Sequence, residues 1–317
     1  MKLETAEIII PPGAPLPDTL QGRLESYFVP KGEARLRVLL ARPDNEDTRG
    51  TIIIVPGRTE FCEKYAEVIS DFIVRNFVVC VIDHRGQGLS SRPLSDPLKS
   101  HIKSFHIYAD DLGHIIDTLG KRLPKPHIFL AHSMGGCIAL HSILSGTTTP
   151  SAIICSAPML GLFDLSSRPN KYLIKLLAYM GLSGRSVPYQ QQKRGLPVAF
   201  KHNKLTSDKT RFMRWAAYFT NVPRLRVAGP TFGWIASAID GMKFVNRNAA
   251  QLKTPALIVG AGGDPIVDPA SNQSFAERAG AQYTVIPGAL HEIFLERDIY
   301  REVMFDEIDS FLDAQAL

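Results

Sequence analysis

The stretch that decides the fold is Ile128-Phe-Leu-Ala-His-Ser-Met-Gly-Gly-Cys137. Its apolar start, residues 128–131, is typical of a buried strand, and the run that begins at Gly135 has the apolar spacing of a helix. Ser133 therefore lies at a tight strand-to-helix turn, which projects a serine hydroxyl out of the sheet as a nucleophile. Ala131 stands where the usual G-x-S-x-G pattern has its first glycine, so an ordinary strand–helix junction that contains a serine is the alternative interpretation.

The same alternation of strand and helix runs along most of the chain. Unbroken apolar runs, typical of strands buried on both faces, occupy residues 51–55, 77–82, 152–155, 256–259 and 283–286. Helical spacing occurs at residues 65–73 and 108–119, and residues 23–29 and 34–40 are typical of a β-hairpin. The pattern predicts an α/β protein with a mostly parallel central sheet flanked by helices.

Residues 159–248 break this alternation. They contain apolar stretches at 172–182 and 211–220 and no clear buried strand, so we predict a largely helical cap between a first core part, residues 1–158, and a second, residues 249–317. Between residues 160 and 248, fifteen Lys and Arg residues stand against three Asp residues, a net charge of +12 that leaves −7 for the rest. Such asymmetry predicts a surface that faces something anionic, with a merely solvated basic face as the alternative.

Composition excludes several classes of protein. With 317 residues, 45% hydrophobic and 21% charged, the chain can bury a large globular core. The acidic N-terminal residues lack a signal-like apolar segment, and no apolar run approaches the roughly 18 residues that span a bilayer. Four cysteines in or next to apolar segments, without a C-x-x-C pair, predict buried free thiols. We expect a cytoplasmic protein that can lie peripherally at the inner face of the membrane.

Two residues with catalytic chemistry follow strands in the second half of the chain. Asp264 comes directly after the strand at 256–259, and His291 after the strand at 283–286. A serine hydroxyl needs a base, and the base works best when a carboxylate fixes its tautomer. The order Ser133, Asp264, His291 is the order found in α/β-hydrolases, although Asp268 is a rival for the acid. No H-E-x-x-H or clustered His/Cys set is present, so we expect no metal and no other cofactor.

Acyl transfer also requires donors for the developing oxyanion. The amide of Met134, directly after the nucleophile, is one candidate. The amide of Arg58, after Pro56-Gly57 at the end of the strand at 51–55, is the other, and a plain turn is the alternative interpretation of Pro56-Gly57.

Several of these segments resemble one group of known enzymes. Pro56-Gly-Arg-Thr-Glu60, Asp83-His-Arg-Gly-Gln-Gly-Leu-Ser90 and Leu130-Ala-His-Ser-Met-Gly-Gly136 are similar to motifs of the monoglyceride lipase and lysophospholipase group of α/β-hydrolases, most of all its bacterial lysophospholipases. The resemblance implies Ser133, Asp264 and His291 as the triad and the amides of Arg58 and Met134 as the oxyanion hole. It also implies a monoacyl lipid substrate. Monoglyceride lipases usually have His-Gly at 56–57 and Gly at 131, whereas the bacterial lysophospholipases resemble this chain there.

The sequence thus predicts a cofactor-independent serine hydrolase that cleaves the acyl ester of a lysophospholipid. A monoacylglycerol lipase, or another small-ester or amide hydrolase such as a peptidase of the same fold, is the alternative among enzymes. A binding protein that kept the fold without catalysis is the alternative outside them. The basic cap predicts peripheral contact with an anionic membrane surface, and a nucleic-acid partner is not expected because no binding motif accompanies the charge.

Overall fold

The computed structural model of the chain describes residues 3–162, 170–187 and 196–317. Within these residues nine strands form one sheet. In chain order they are β1 (Glu4–Thr5), β2 (Leu24–Lys31), β3 (Ala34–Ala41), β4 (Thr51–Val55), β5 (Val78–Ile82), β6 (His127–His132), β7 (Ala152–Ser156), β8 (Ala256–Ala261) and β9 (Gln282–Ile286).

The sheet is parallel over most of its width. Its strand order is β1-β2-β3-β5-β4-β6-β7-β8-β9, and every pair from β5 to β9 is parallel. The predicted hairpin, β2 and β3, forms an antiparallel edge together with the short β1. The predicted mostly parallel sheet is therefore confirmed.

Helices cover both faces of this sheet. The described α-helices are α1 (Ala66–Val74), α2 (Phe105–Leu119), α3 (Met134–Leu144), α4 (Asn170–Leu177), α5 (Lys209–Asn221), α6 (Phe232–Arg247), α7 (Pro269–Ala279) and α8 (Asp298–Ala314). Along β4, Ile54 belongs to the buried cluster that contains residues of α1 and α8, whereas its neighbour Ile53 belongs to the cluster that contains residues of α2, α3 and α7. Because successive side chains of a strand point to opposite faces, an unbroken apolar run is what such a two-sided core needs.

The longest described elements of the predicted cap are helices. α4 continues into a π-helical turn at Ala178–Leu182, and α5 and α6 follow. α6 packs closely on the core, since a Cβ on Gly241 would lie 2.8 Å from the Phe105 ring and Ser237 Oγ donates a hydrogen bond to the Ile102 carbonyl at 3.1 Å. Parts of the predicted cap, residues 163–169 and 188–195, lie outside the described residues, and its boundaries at 159 and 248 stay a prediction.

Two other expectations concern burial and the membrane. All four cysteines are buried as free thiols, and burial raises the pKa of Cys80 to about 12, so this thiol stays protonated. Across the described ranges, no helix is both long and apolar enough to span a bilayer.

Candidate active site

Ser133 occupies a sharp turn between β6 and α3. Its φ of +51° lies in the left-handed region, which is strained for a residue with a side chain. The turn closes because Gly135 has no side chain: a Cβ there would collide with the carbonyl oxygens of Val55 and Pro56 at the end of β4. The start of α3 therefore lies directly against the loop that follows β4.

Ser133, His291 and Asp264 form one chain of hydrogen bonds. His291 Nε2 lies 2.9 Å from Ser133 Oγ, and His291 Nδ1 lies 2.6 Å from Asp264 Oδ2. A carboxylate accepts, so Nδ1–H donates to Asp264 and Nε2 is free to accept the hydroxyl proton. The second Asp264 oxygen accepts from the amides of Ile266 and Val267 at 2.8 and 3.1 Å, which fixes the carboxylate in its loop.

The rival acid, Asp268, has a different structural role. It is the N-cap of α7 and accepts hydrogen bonds from the Ala270 amide and the Ser271 hydroxyl, both at 3.0 Å. The structure thus brings Asp264, and not Asp268, to His291.

Two backbone amides beside Ser133 are available for an oxyanion. Within the described part of the chain, neither the Arg58 nor the Met134 amide donates a hydrogen bond. The Ser133 amide, in contrast, donates to the Ser156 carbonyl at 3.0 Å. Because the loop after β4 packs against the start of α3, the Arg58 and Met134 amides lie on adjoining segments.

The loop at residues 56–60, which carries the Arg58 amide, is held by three side chains. Glu60 accepts from the Gly57 amide, and Gln87 both accepts from the Thr59 amide and donates to the Gly57 carbonyl. His84 Nε2–H donates to the Pro56 carbonyl at 2.9 Å. A loop fixed in this way presents its remaining amide in a set direction, as preorganised stabilisation of an oxyanion requires.

A buried ionic cluster lies beside His291. Lys64 Nζ lies 2.5 Å from Glu60 Oε1 and 2.6 Å from Glu292 Oε2. Burial alone would raise the pKa of Glu60, but the Lys64 ammonium and neighbouring groups lower it to about 2. The Glu60, His132 and Glu292 ligand atoms lie within 4.8 Å of one another, a spacing that could hold a cation. The Lys64 ammonium already supplies the positive charge between the two carboxylates.

His132 belongs to the same cluster and contacts the His291 ring. The two ring centroids are 4.9 Å apart, and His132 Nδ1–H donates to the Ser156 carbonyl at 3.1 Å. Burial lowers the pKa of His132 to about 3, so the ring is neutral near pH 7. A neutral ring adds no positive charge beside a histidine that must accept a proton.

Sequence reasoning missed some of these contacts. Asp83 accepts hydrogen bonds from the Cys62 and Leu89 amides, both at 2.8 Å, and its other charged neighbour is the buried Arg37. Arg85, which lies in the same segment, pairs with Asp111. Glu60 and Gln87 lie inside the quoted segments 56–60 and 83–90, so their place next to strand ends was the available signal.

A serine, histidine and aspartate at the carboxyl ends of a mostly parallel sheet define the class of protein as an α/β-hydrolase. Comparisons with known proteins agree with this. The family described as Hydrolase_4, Serine aminopeptidase, S33, matches residues 46–298. The chain therefore belongs to this family of α/β-hydrolases.

Individual relatives are similar over nearly the whole chain. Lysophospholipase L2 of Escherichia coli is 31% identical over 312 residues, which cover 94% of this chain and 90% of that protein. Monoacylglycerol lipase of Mycolicibacterium smegmatis is 25% identical over 92% of this chain and 97% of its own length. A soluble variant of monoglyceride lipase from Saccharomyces cerevisiae, solved with a substrate analog, shares the fold with a TM-score of 0.75, 21% identity and coverage of 95% and 99%. The chain is a serine ester hydrolase.

Proposed function

We propose that the protein hydrolyses the acyl ester of a lysophospholipid through Ser133, His291 and Asp264. The observation that carries this proposal is the hydrogen-bonded chain Ser133–His291–Asp264, with distances of 2.9 and 2.6 Å. The names of the relatives describe enzymes that act on monoacyl esters, and the relative named lysophospholipase L2 is 31% identical to this chain.

The proposed reaction uses each group in one role. Ser133 Oγ attacks the ester carbonyl carbon while His291 Nε2 takes the hydroxyl proton, and Asp264 stabilises the resulting imidazolium. The amides of Arg58 and Met134 bind the oxyanion of the tetrahedral intermediate. The intermediate collapses, His291 returns the proton to the departing glycerol oxygen, and Ser133 keeps the acyl group. Water, activated by His291, then releases the fatty acid.

An aminopeptidase reaction, which the family description suggests, finds less support around the site. Recognition of a free α-ammonium group calls for a carboxylate with no other partner. Beside His291 the structure describes three carboxylates, those of Asp264, Glu60 and Glu292. Lys64 pairs with the last two, and His291 itself pairs with the first.

We further propose that the cap contacts an anionic membrane surface. α4 and the turn after it expose large apolar side chains, with exposed fractions of 51% at Leu173, 52% at Leu176, 91% at Tyr179 and 68% at Met180. The surrounding segment, residues 160–248, carries a net charge of +12. Basic residues near an anionic bilayer contribute about 1 kcal/mol each, and exposed apolar side chains add to binding by entering the interface. Cosedimentation with anionic vesicles measures this contact directly.

A substrate panel tests the proposed reaction. The wild type and Ser133→Ala are incubated with a lysophospholipid, a monoacylglycerol and an aminoacyl amide, and the released products are quantified. We expect fatty acid release from the lysophospholipid and a fall in kcat of about 10⁴-fold or more in Ser133→Ala, because the nucleophile is removed. A fluorophosphonate probe should label the wild type and leave Ser133→Ala unlabelled.

The matched control is Ser145→Ala, which removes an exposed serine hydroxyl just after α3. This variant should keep wild-type activity and labelling. Activity on the amide alone would contradict the lipid substrate, and a Ser133→Ala protein as active as Ser145→Ala would contradict the mechanism.

A further inference from the structure

Arg58, whose amide is a candidate oxyanion donor, carries a side chain that is half-buried. In the described part of the chain, the guanidinium makes one hydrogen bond, from Nη1 to the Ala228 carbonyl at 3.1 Å. Among the described residues, no carboxylate lies within ion-pair distance of it. The buried Arg37 differs in this respect, because its guanidinium forms ion pairs with Glu63 and Asp83.

An arginine in this state has unused binding capacity. The guanidinium carries five N–H donors, and the Ala228 carbonyl takes one of them. Burial lowers the pKa of Arg58, because water is removed without a compensating carboxylate nearby. A guanidinium that is partly removed from water is stabilised when an anion supplies the missing acceptors.

The surroundings of Arg58 are also rich in donors. The Arg58 guanidinium carbon lies 5.6 Å from the ring centroid of Trp234 on α6. Trp234 is 5% exposed, and its indole N–H has the Tyr108 hydroxyl as its neighbouring acceptor, without a well-formed hydrogen bond. Burial raises the pKa of Tyr108, so its hydroxyl remains protonated. The Arg58 guanidinium thus lies among neutral groups, and among the described residues no anion balances its charge.

We propose that the Arg58 guanidinium binds the phosphate of the substrate's head group. This inference rests on the proposed function and deepens it, because it selects a phosphate-bearing monoacyl lipid over an uncharged monoacylglycerol. Arginine matches phosphate with a planar, bidentate pair of N–H donors. The glycerol of a monoacylglycerol offers no charge to this group.

The covalent spacing of the two partners agrees with this assignment. From the Arg58 amide nitrogen to its guanidinium carbon is a path of about six bonds, roughly 7 Å at full extension. From the ester carbonyl carbon of a 1-acyl glycerophospholipid to its phosphorus is also about six bonds, with the same reach. One residue can therefore hold the oxyanion with its backbone and the phosphate with its side chain.

The test compares two substrates in three proteins. Wild type, Arg58→Gln and Arg58→Lys are assayed on 1-octanoyl-glycero-3-phosphoethanolamine and on 1-octanoylglycerol, both as dissolved monomers so that membrane binding does not contribute. The measured quantity is the ratio of the two kcat/KM values. Both substrates use the same backbone donor, so a displaced Arg58 amide lowers both rates and leaves the ratio unchanged.

We expect the phospholipid-to-glyceride ratio to fall about 10- to 100-fold in Arg58→Gln, since a charge-assisted hydrogen-bonded pair is lost. Arg58→Lys should retain part of the preference because the charge remains while the planar fork is lost. Arg247→Gln, which removes an exposed cation of α6, is the matched control for charge and should leave the ratio at the wild-type value.

Inorganic phosphate distinguishes a head-group site from a site for the free anion. Competitive inhibition of phospholipid hydrolysis in wild type, weakened in Arg58→Gln, supports the inference. A phosphate effect that depends on Arg58 while the substrate ratio stays unchanged would assign the site to free phosphate and overturn the head-group assignment.

If all three proteins hydrolyse both lipids with the same phospholipid-to-glyceride ratio, the inference alone is overturned. No hydrolysis of either lipid by the wild type would overturn the proposed function and this inference with it.

Discussion

The loop at residues 56–60 and α4, the first described helix of the predicted cap, differ in how far their surroundings enclose them. The loop is enclosed by hydrogen bonds from Glu60, Gln87 and His84. α4 and the turn after it leave large apolar side chains half or more exposed, as at Leu176. Groups that stabilise a transition state must be fixed in advance, whereas a surface that meets aggregated lipid must expose apolar area. On the proposed function, the loop supplies fixed groups for the reaction, and α4 offers exposed apolar side chains to lipid.

The largest expected effect comes from adding one methyl group at Gly135, where the start of α3 lies against the loop after β4. In Gly135→Ala the new Cβ collides with the Val55 and Pro56 carbonyl oxygens, and backbone atoms cannot rotate away as a side chain can. We expect a loss of more than about 3 kcal/mol in the free energy of unfolding, at or beyond the upper end of the usual cost of overpacking. Urea denaturation measures it, together with esterase activity on a soluble p-nitrophenyl ester.

Gly184→Ala is the matched control in the predicted cap. Its Cβ would meet the Leu94 side chain at an ordinary 3.7 Å, and no positive φ is required there. The free energy of unfolding should change by less than about 0.5 kcal/mol. Equal stability of the two variants would contradict the idea that the elbow is closed by direct backbone contact.

The same contrast explains how much of the molecule the sequence could predict. The central strands were predictable because burial on both faces produces an unbroken apolar run; residues 51–55 match β4 without a shift. β1, only Glu4 and Thr5, has no such pattern, and its existence depends on pairing with β2. The apolar stretches at 172–182 and 211–220 overlap α4 with its following turn and α5, whereas α6, Phe232–Arg247, had no predicted counterpart of its own.

At the candidate site, residues that directly follow a strand could be found, and their partners could not. Ser133, Asp264 and His291 each follow a buried run. The choice against Asp268 had a signal in the sequence, since Asp before Pro269 is typical of a helix N-cap. The pairing of Asp83 with Arg37, 46 residues away, depends on how β3 and β5 meet in the sheet, and no local pattern encodes that.

A smaller effect is expected on the pH dependence of stability, to which the buried His132 should contribute and the exposed His202 of the predicted cap should not. The pKa of His132 is about 3 in the folded protein and about 6.5 in an unfolded chain. Between these values the unfolded state binds the extra proton, so acidification from pH 6.5 towards 3 must lower stability, and stability rises again with pH. His132→Gln, which removes the titrating ring and keeps a neutral polar side chain, should flatten this slope by up to about 1.4 kcal/mol per pH unit.

Denaturation by urea at several pH values between 4.5 and 7.5 gives the slope for each protein. His202→Gln, an exposed histidine of the predicted cap, is the control and should leave the wild-type slope in place. His84 is also buried with a lowered pKa, so His132→Gln should retain part of the acid sensitivity. An unchanged slope in His132→Gln would mean that His132 does not carry this proton linkage.

The smallest expected effect tests the cap side of the comparison. Leu176→Gln removes one apolar side chain from the exposed face of α4, and Ile299→Gln removes an equally exposed one, 59% against 52%, from α8 on the core. Burying a leucine in an apolar environment is worth about 1.5–3 kcal/mol, and partial burial in an interface gives less. We expect Leu176→Gln to weaken binding to anionic vesicles about tenfold, with Ile299→Gln close to wild type.

Rising salt should weaken the vesicle binding of both variants further, because exposed charges are screened. Equal losses in the two variants would place the membrane contact elsewhere than α4, whereas a loss confined to Leu176→Gln, with unchanged turnover of a soluble ester, would locate lipid capture on the cap and leave the chemistry with the core.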